Sequence, residues 1–140
     1  MTSSSSLKNL EEGLKEAIDF SKIREIGSIK ENVIPVVVQD STTKLVLIVA
    51  YINRVALERS LKTRIATFWS TSRNELWVKG ESSGNVLDID DIYINCEQNS
   101  LIFLVTPRGS GACHTKDFKG NYRMGCYYRR IKSNGDLEFV

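Results

Sequence analysis

The spacing of apolar residues predicts two helices. Between residues 7 and 20, apolar side chains recur at every third or fourth position with charged residues between them, which is the period of an amphipathic helix. The recurring residues are Leu7, Leu10, Leu14 and Ile18. Asn53 is a favourable N-cap and predicts a second, shorter helix over residues 54–62, in which Leu57 and Leu61 face inward.

β-Branched residues and regular turn signals predict strands in most of the remaining chain. Residues 33–39 and 45–51 flank a polar turn, which predicts a hairpin, and Pro35 indicates a sheet edge or a strand start. Further strands are predicted over residues 65–69, 76–79, 86–95, 101–106 and 126–131, with a tight turn at residues 134–135. The chain is therefore predicted to be a mainly β (α+β) domain with a few short helices.

Residues 107–125 interrupt this pattern. They contain four glycines and little apolar periodicity, so they predict a long loop, and such loops in small domains usually have a function. Residues 108–132 hold seven basic residues against Asp117 alone, although the chain as a whole has a formal charge of only +2. A local basic segment favours a compact anionic ligand over a nucleic acid, which needs a wider basic surface. A solvated basic hairpin is the alternative interpretation.

Length and composition indicate one globular domain of 140 residues. No apolar run approaches the roughly 20 residues of a membrane span. The first residues also lack the pattern of a secretory signal. We therefore expect a cytoplasmic protein with no membrane partner. In a reducing compartment, an odd number of cysteines argues against a disulfide framework and leaves three roles open: metal ligand, reactive thiol or inert buried residue.

The cysteines and the single histidine form the first chemical candidate. Cys96, Cys113 and Cys126 lack the paired spacing of a zinc finger, but three thiolates suit a catalytic zinc site, which keeps one position open. His114 follows Cys113 and is a candidate for moving a proton. Buried small side chains and an ordinary loop histidine are the alternative. The polar, basic surroundings of Cys113 favour a thiolate and argue against that alternative.

Two turns rich in serine and glycine form the second candidate. Residues 70–73 and 79–84 each combine hydroxyl and backbone N–H donors with a basic side chain, as a phosphate site requires. Ordinary hairpin turns, with Trp69 and Trp77 as core aromatics, would account for the same residues.

Four segments resemble, in order, the successive motifs of the phosphoribosyl-AMP cyclohydrolases. They are Trp-Ser-Thr-Ser-Arg at 69–73, Leu-Trp-Val-Lys-Gly-Glu-Ser-Ser-Gly at 76–84, Ala-Cys-His-Thr at 112–115 and Cys-Tyr-Tyr-Arg at 126–129. The resemblance runs from about residue 33 to residue 131, and the first twenty or so residues lie outside it. This indicates an N-terminal helical extension over residues 1–25 and a cyclohydrolase-like domain over residues 26–140.

The resemblance implies an activity and an assembly. The reaction is hydrolysis of the N1–C6 bond in the adenine ring of phosphoribosyl-AMP, the third step of histidine biosynthesis. The implied fold is a compact β-sheet or barrel-like domain in an intertwined homodimer. Zinc would be bound by Cys96 of one subunit with Cys113 and Cys126 of the other, and His114 would transfer a proton. The expected substrate-binding residues are Trp69, Ser70, Ser72, Arg73, Lys79, Gly80, Ser82, Ser83 and Gly84.

The chain departs from the family pattern in two places. Where the family has three aspartates that bind magnesium, this chain has Asn95, Glu97 and Asn99, so magnesium binding should be weak. The stretch between Cys113 and Cys126 is also longer than is usual. These changes leave two alternatives: a sister zinc hydrolase acting on another purine or pteridine nucleotide, and a non-catalytic dimer that zinc stabilises. Intact His114 and both turns argue against the second alternative.

Overall fold

The computed structural model describes residues 4–140, in which strands predominate over helices. The helices are α1 (Ser4–Glu12), α2 (Lys22–Gly27) and α3 (Arg54–Thr63). The strands are β1 (Ile34–Asp40), β2 (Val46–Ile52), β3 (Thr67–Ser70), β4 (Glu75–Val78), β5 (Leu87–Ile94), β6 (Leu101–Pro107), β7 (Arg129–Ile131) and β8 (Leu137–Phe139). The predicted mainly β class is confirmed, and no helix in this part of the chain has the length and apolarity needed to cross a membrane.

The main sheet contains four strands in the order β2-β1-β6-β5. The predicted hairpin of β1 and β2 is antiparallel, whereas β1 and β6 are parallel. Alternate residues of β1 point into the core, where Val36 and Val38 are fully buried and pack among the other apolar side chains of the sheet. Pro35 precedes the first β1–β6 pair, which joins Val36 to Leu101, so a central strand tolerates this proline near its start.

Two small hairpins complete the fold, β3 with β4 and β7 with β8. Within residues 4–140 the sheets do not close, so the barrel-like part of the expectation is wrong for the single chain. The physical reason is that β2 and β5 lie at the edges of the main sheet and pair with neither hairpin. The strand predicted over residues 126–131 is also shorter than expected and begins at Arg129. Residues 108–125 form the predicted long loop.

Helix α3 begins where the sequence predicts, because the Asn53 side chain accepts a hydrogen bond from the Ala56 N–H at 2.9 Å. The predicted inward face is confirmed at Leu57, which packs against the core, and is wrong at Leu61. Ala56 and Ser60 are buried, whereas Leu61 is 51% exposed. The Ser60 hydroxyl exchanges two hydrogen bonds of 3.0 Å with the backbone of Thr67, so small residues bring the helix close to β3.

The N-terminal helix is shorter than its apolar spacing predicts. Helix α1 ends at Glu12, and the chain then pairs with the C-terminal hairpin: the Leu137 N–H donates to the Leu14 carbonyl, and Lys15 forms an ion pair with Asp136. The recurring apolar side chains of this segment are about half exposed. Tertiary pairing with a distant hairpin has therefore replaced the second half of the predicted helix.

Candidate active site

A cleft of about 710 Å³ lies between β2, the β3–β4 hairpin and the loop that carries the cysteines. A second cavity of about 460 Å³ adjoins it and shares Arg73, Lys79 and His114 with the cleft. Most of the predicted site residues line one or both cavities, namely Trp69, Ser70, Ser72, Arg73, Lys79, Gly80, Ser82, Ser83, His114 and Cys126. Gly84 and Cys113 line neither of them, and Cys113 is buried.

The loop brings Cys113 and Cys126 together. The Cys113 N–H donates to the Arg123 carbonyl at 3.1 Å, which aligns the two arms of the loop. The Cys126 N–H donates to the Leu47 carbonyl at 2.7 Å and ties the second arm to β2. This tether also explains why the strand starts only at Arg129.

The Cys113 and Cys126 side chains shift each other's pKa. Cys113 is buried, and the hydrogen bond from Cys126 lowers the pKa of Cys113 to about 5, while the same bond raises the pKa of Cys126. Thr115 also contacts the Cys113 sulfur through its hydroxyl, at 3.0 Å, and through its N–H. A thiolate at Cys113 and a thiol at Cys126 are the natural protonation state of such a pair without metal.

A buried cation faces this pair. Lys79 is 8% exposed, and burial lowers the pKa of its ammonium group. The negative charge of Cys126 and Cys113 acts in the opposite direction and raises that pKa, but by less. Gly80, which follows it, has φ +80°, and an added Cβ would lie 2.1 Å from the Asn85 carbonyl oxygen. Only glycine fits that turn, which aims Lys79 into the site.

The turn after β3 presents its donors toward the cleft. The Ser70 hydroxyl accepts from the backbone N–H of Arg73 at 3.3 Å and from its guanidinium at 3.4 Å. Trp69 lines the cleft and donates its indole N–H to Asn74, so it is not a core aromatic, whereas Trp77 packs against the core. The cleft therefore combines a stacking surface with cationic and hydroxyl groups suited to an anionic ligand.

His114 stands at the rim of both cavities with its side chain 75% exposed. Its Nε2 lies 2.5 Å from a carboxylate oxygen of Glu11. The sequence gives no signal for this contact, because the two residues are far apart in the chain and Glu11 lies in the segment that was predicted to be a simple amphipathic helix. Glu11 and Thr115 are the site residues that sequence reasoning missed.

Zinc fits part of this site. Two adjacent thiols, one ionised, match the preference of zinc for sulfur ligands. The described residues contain no group of three side chains that could hold a metal ion. Cys96 is exposed in the turn between β5 and β6, outside both cavities. One chain therefore brings together two of the three cysteines predicted to bind zinc, Cys113 and Cys126.

Magnesium does not fit the residues at its expected position. The Asn95 side-chain oxygen accepts hydrogen bonds from the backbone N–H groups of Asn99 and Ser100, and its amide donates to the Asn99 side chain at 2.6 Å. The Asn99 amide in turn donates to Glu97 at 3.3 Å. A hard cation prefers several carboxylates, whereas this turn has only that of Glu97. Side-chain oxygens of Asn95, Glu97 and Asn99 already accept hydrogen bonds from amide groups of the turn.

We predict that ring opening depends weakly on magnesium or not at all. The double variant Asn95→Asp with Asn99→Asp should bind magnesium more tightly, because each substitution adds a carboxylate ligand. Calorimetric titration measures the affinity for magnesium, and the rate of ring opening against free magnesium measures the dependence of activity on it. Glu97→Gln is the variant that removes the one native carboxylate. Tight magnesium activation of the natural protein would contradict this prediction.

The fold and the site together define the class: a mainly β protein with a pair of neighbouring thiols beside a cleft that suits an anionic ligand. Residues 48–128, more than half of the chain, match the family model for phosphoribosyl-AMP cyclohydrolase. The chain belongs to the phosphoribosyl-AMP cyclohydrolase family. The resemblance indicated by the four motifs is therefore confirmed.

Individual relatives agree with this assignment. A phosphoribosyl-AMP cyclohydrolase of Chlorobium phaeovibrioides is 40% identical over 126 residues, which are 90% of this chain and 87% of that protein. That of Nitrosopumilus maritimus is 48% identical over 115 residues, or 82% of this chain and 94% of its own.

A third relative extends the resemblance toward the N-terminus. The phosphoribosyl-AMP cyclohydrolase of Chlorobium chlorochromatii is 37% identical over 132 residues, which are 94% of this chain and 88% of that protein. A match over 132 of 140 residues reaches residue 9 or an earlier one. The expectation that the first twenty or so residues lie outside the resemblance is therefore wrong for this relative.

Proposed function

We propose that this chain hydrolyses the N1–C6 bond of the adenine ring in phosphoribosyl-AMP, as a zinc enzyme in histidine biosynthesis. The observation that carries the proposal is the pairing of Cys113 with Cys126, the second of which lines a cleft together with His114 and the first polar turn, while the second turn lines the adjoining cavity. The names of the relatives supply the substrate. We assign the protein to the cytoplasm, because thiols that must stay reduced suit that compartment.

The residues of the cleft divide the chemistry among them. Zinc held by the thiolates supplies a Lewis acid that makes water nucleophilic near neutral pH. Water adds across the N1–C6 bond: its oxygen joins C6, which becomes the carboxamide carbon, one proton reaches N1 as the bond breaks, and the other reaches the exocyclic nitrogen on C6, which becomes the carboxamide NH2. His114 is the group that takes a proton from the attacking water and returns one to N1.

The two turns hold the ends of the substrate. Phosphoribosyl-AMP carries a phosphate on each side of the base, so it needs two anion sites. Arg73 with the serines of the first turn suits one phosphate, and Lys79 with Ser82 and Ser83 suits the other. The adjoining cavities meet at Arg73 and Lys79, which gives a bipartite site for a ligand with two anionic ends.

Exposed apolar side chains support a homodimer with shared zinc sites. Tyr93 and Ile102 pair across β5 and β6 on one face of the sheet, and both are large hydrophobic residues on the surface of the single chain. They lie directly beside the turn that carries Cys96. An apolar patch of this kind marks an interface, and a second copy seated there would receive Cys96 at its own thiol pair.

We predict that zinc and the dimer are coupled, because ligands from two chains make metal binding part of the free energy of assembly. Complete removal of zinc by a chelator should shift the chain toward monomer in sedimentation velocity, and added zinc should restore the dimer. An unchanged dimer without zinc would contradict the shared site.

The experiment that tests the function is incubation of the zinc-loaded protein with phosphoribosyl-AMP, with ring opening followed by ultraviolet absorbance. Conversion to the open carboxamide product supports the proposal. A silent assay with zinc fully bound would favour the sister hydrolase, and the same protein should then be tested on other purine and pteridine nucleotides. Failure on every nucleotide would favour the zinc-stabilised structural dimer.

A further inference from the structure

We propose that Glu11 is a positioning residue for His114, supplied to the site by the last turn of helix α1. The inference rests on the proposed function and extends it, because it assigns the proton transfer to one nitrogen of the histidine ring. The segment of Glu11 lies far outside the motifs that identify the family, yet it contacts both arms of the cysteine loop.

The contact fixes the histidine tautomer. Glu11 Oε2 lies 2.5 Å from His114 Nε2, and an ionised carboxylate can only accept a hydrogen bond. Nε2 must therefore carry a hydrogen, which leaves the lone pair of the neutral ring on Nδ1. Nδ1 is then the atom that takes the proton from water, and the carboxylate stabilises the imidazolium that results.

The exposure of the two side chains explains why His114 needs this support. The His114 side chain is 75% exposed, so packing does little to hold its ring in one rotamer. The Glu11 side chain is only 24% exposed, and its contact with Nε2 ties the mobile ring to a more enclosed group. At many sites, a carboxylate that is hydrogen-bonded to one ring nitrogen of a catalytic or metal-binding histidine orients the ring in this way.

The backbone around Glu11 is itself held by residues that follow Cys126. The Tyr128 hydroxyl donates to the Glu11 carbonyl at 2.6 Å. The Arg129 guanidinium donates to the carbonyls of Leu10 and Gly13, each at 2.8 Å. The segment of Glu11 is thus attached to the same stretch of chain that supplies one thiol, so Glu11, His114 and Cys126 keep a common frame.

Replacement of Glu11 tests the role through activity. Glu11→Ala should lower kcat by about ten- to a hundredfold, as the loss of a supporting partner does, with KM and zinc content nearly unchanged. Glu11→Asp should recover part of the loss. Glu16→Ala is the control, because Glu16 lies shortly after the end of helix α1, bonds only to the Ile18 N–H among the described residues, and should leave kcat unchanged.

A double variant separates positioning from general stability. In a His114→Ala background, Glu11→Ala should cause no further loss of kcat, because a residue that acts through His114 has nothing left to position. A multiplicative loss would overturn the proposal. Loss of zinc from Glu11→Ala would also overturn it, since Glu11 would then be a metal ligand.

A spectroscopic readout makes the test independent of catalysis. His114 is the only histidine in the chain, so protein labelled with ¹⁵N-histidine gives the ring signals of that residue alone. At mildly alkaline pH the natural, zinc-loaded protein should show the Nε2–H tautomer, and Glu11→Ala should show a mixture. A natural protein that leaves phosphoribosyl-AMP intact would overturn the proposed function. Wild-type turnover and an unchanged ring spectrum in Glu11→Ala would overturn only the role of Glu11.

Discussion

We expect Cys113→Ser to eliminate the proposed zinc binding and to lower ring opening by more than about a thousandfold. The expected loss is large because a serine hydroxyl stays protonated where the Cys113 thiol ionises with a pKa of about 5, so the strongest ligand disappears and the several kcal/mol that a metal contributes to the transition state disappear with it. Zinc content by atomic absorption and the ultraviolet assay measure the two effects. Zinc bound at the natural level in this variant would contradict the assignment of Cys113 as a ligand.

Mixing inactive variants tests whether the site is shared between subunits. Cys113→Ser and Cys96→Ser chains, refolded together, form mixed dimers in which one site keeps all three natural cysteines and the other loses two. With random pairing, about a quarter of the natural activity should return, from the symmetry of the dimer. Cys113→Ser mixed with Cys126→Ser is the matched control, because each site of that mixed dimer still lacks a thiol. Recovery in neither mixture would contradict a shared site.

We expect His114→Ala to retain zinc and to have a kcat lower by a factor of about 10² to 10⁴, the usual contribution of a positioned general base. The residue contacts Glu11 through its ring and is mostly exposed, so its removal should leave the fold and the thiol pair intact. Lys116→Ala is a suitable control, since Lys116 is an exposed residue of the same loop whose ammonium lies over the Tyr122 ring. Zinc loss from His114→Ala would identify the histidine as a ligand, and a raised KM with unchanged kcat would assign it to binding.

Local signals were sufficient for much of the fold. The polar turn between β1 and β2 and the N-cap at Asn53 act over a few residues, and the structure has both the hairpin and the helix where these signals predict them. The exposure of Leu61 and the early end of the N-terminal helix differ from the predictions because tertiary contacts determine them. Ser60 bonds to Thr67, and Leu14 bonds to Leu137, and neither partner is visible in a helical period.

The candidate site was likewise predictable only in part from the sequence. Residue chemistry singled out the cysteines, His114 and the basic turns, and the structure brings most of these groups to two adjoining cavities. The Glu11–His114 contact joins residues from opposite ends of the chain, so no spacing rule reaches it. Cys96 lies apart from the other two cysteines in the single chain, and the proposed dimer, in which its thiol partners belong to another copy, would account for that position.

The parallel pairing of β1 with β6 determines when the sheet can be completed during synthesis. The β1–β2 hairpin uses local contacts and can form early, but the other edge of β1 has no partner until residues 101–107 leave the ribosome. An unpaired edge that contains Val36 and Val38 invites pairing with another nascent chain. We therefore expect amide protection in a pulsed hydrogen-exchange experiment to arise in β2 before β6. Protection that arises in both strands together would mean that the sheet forms in one cooperative step.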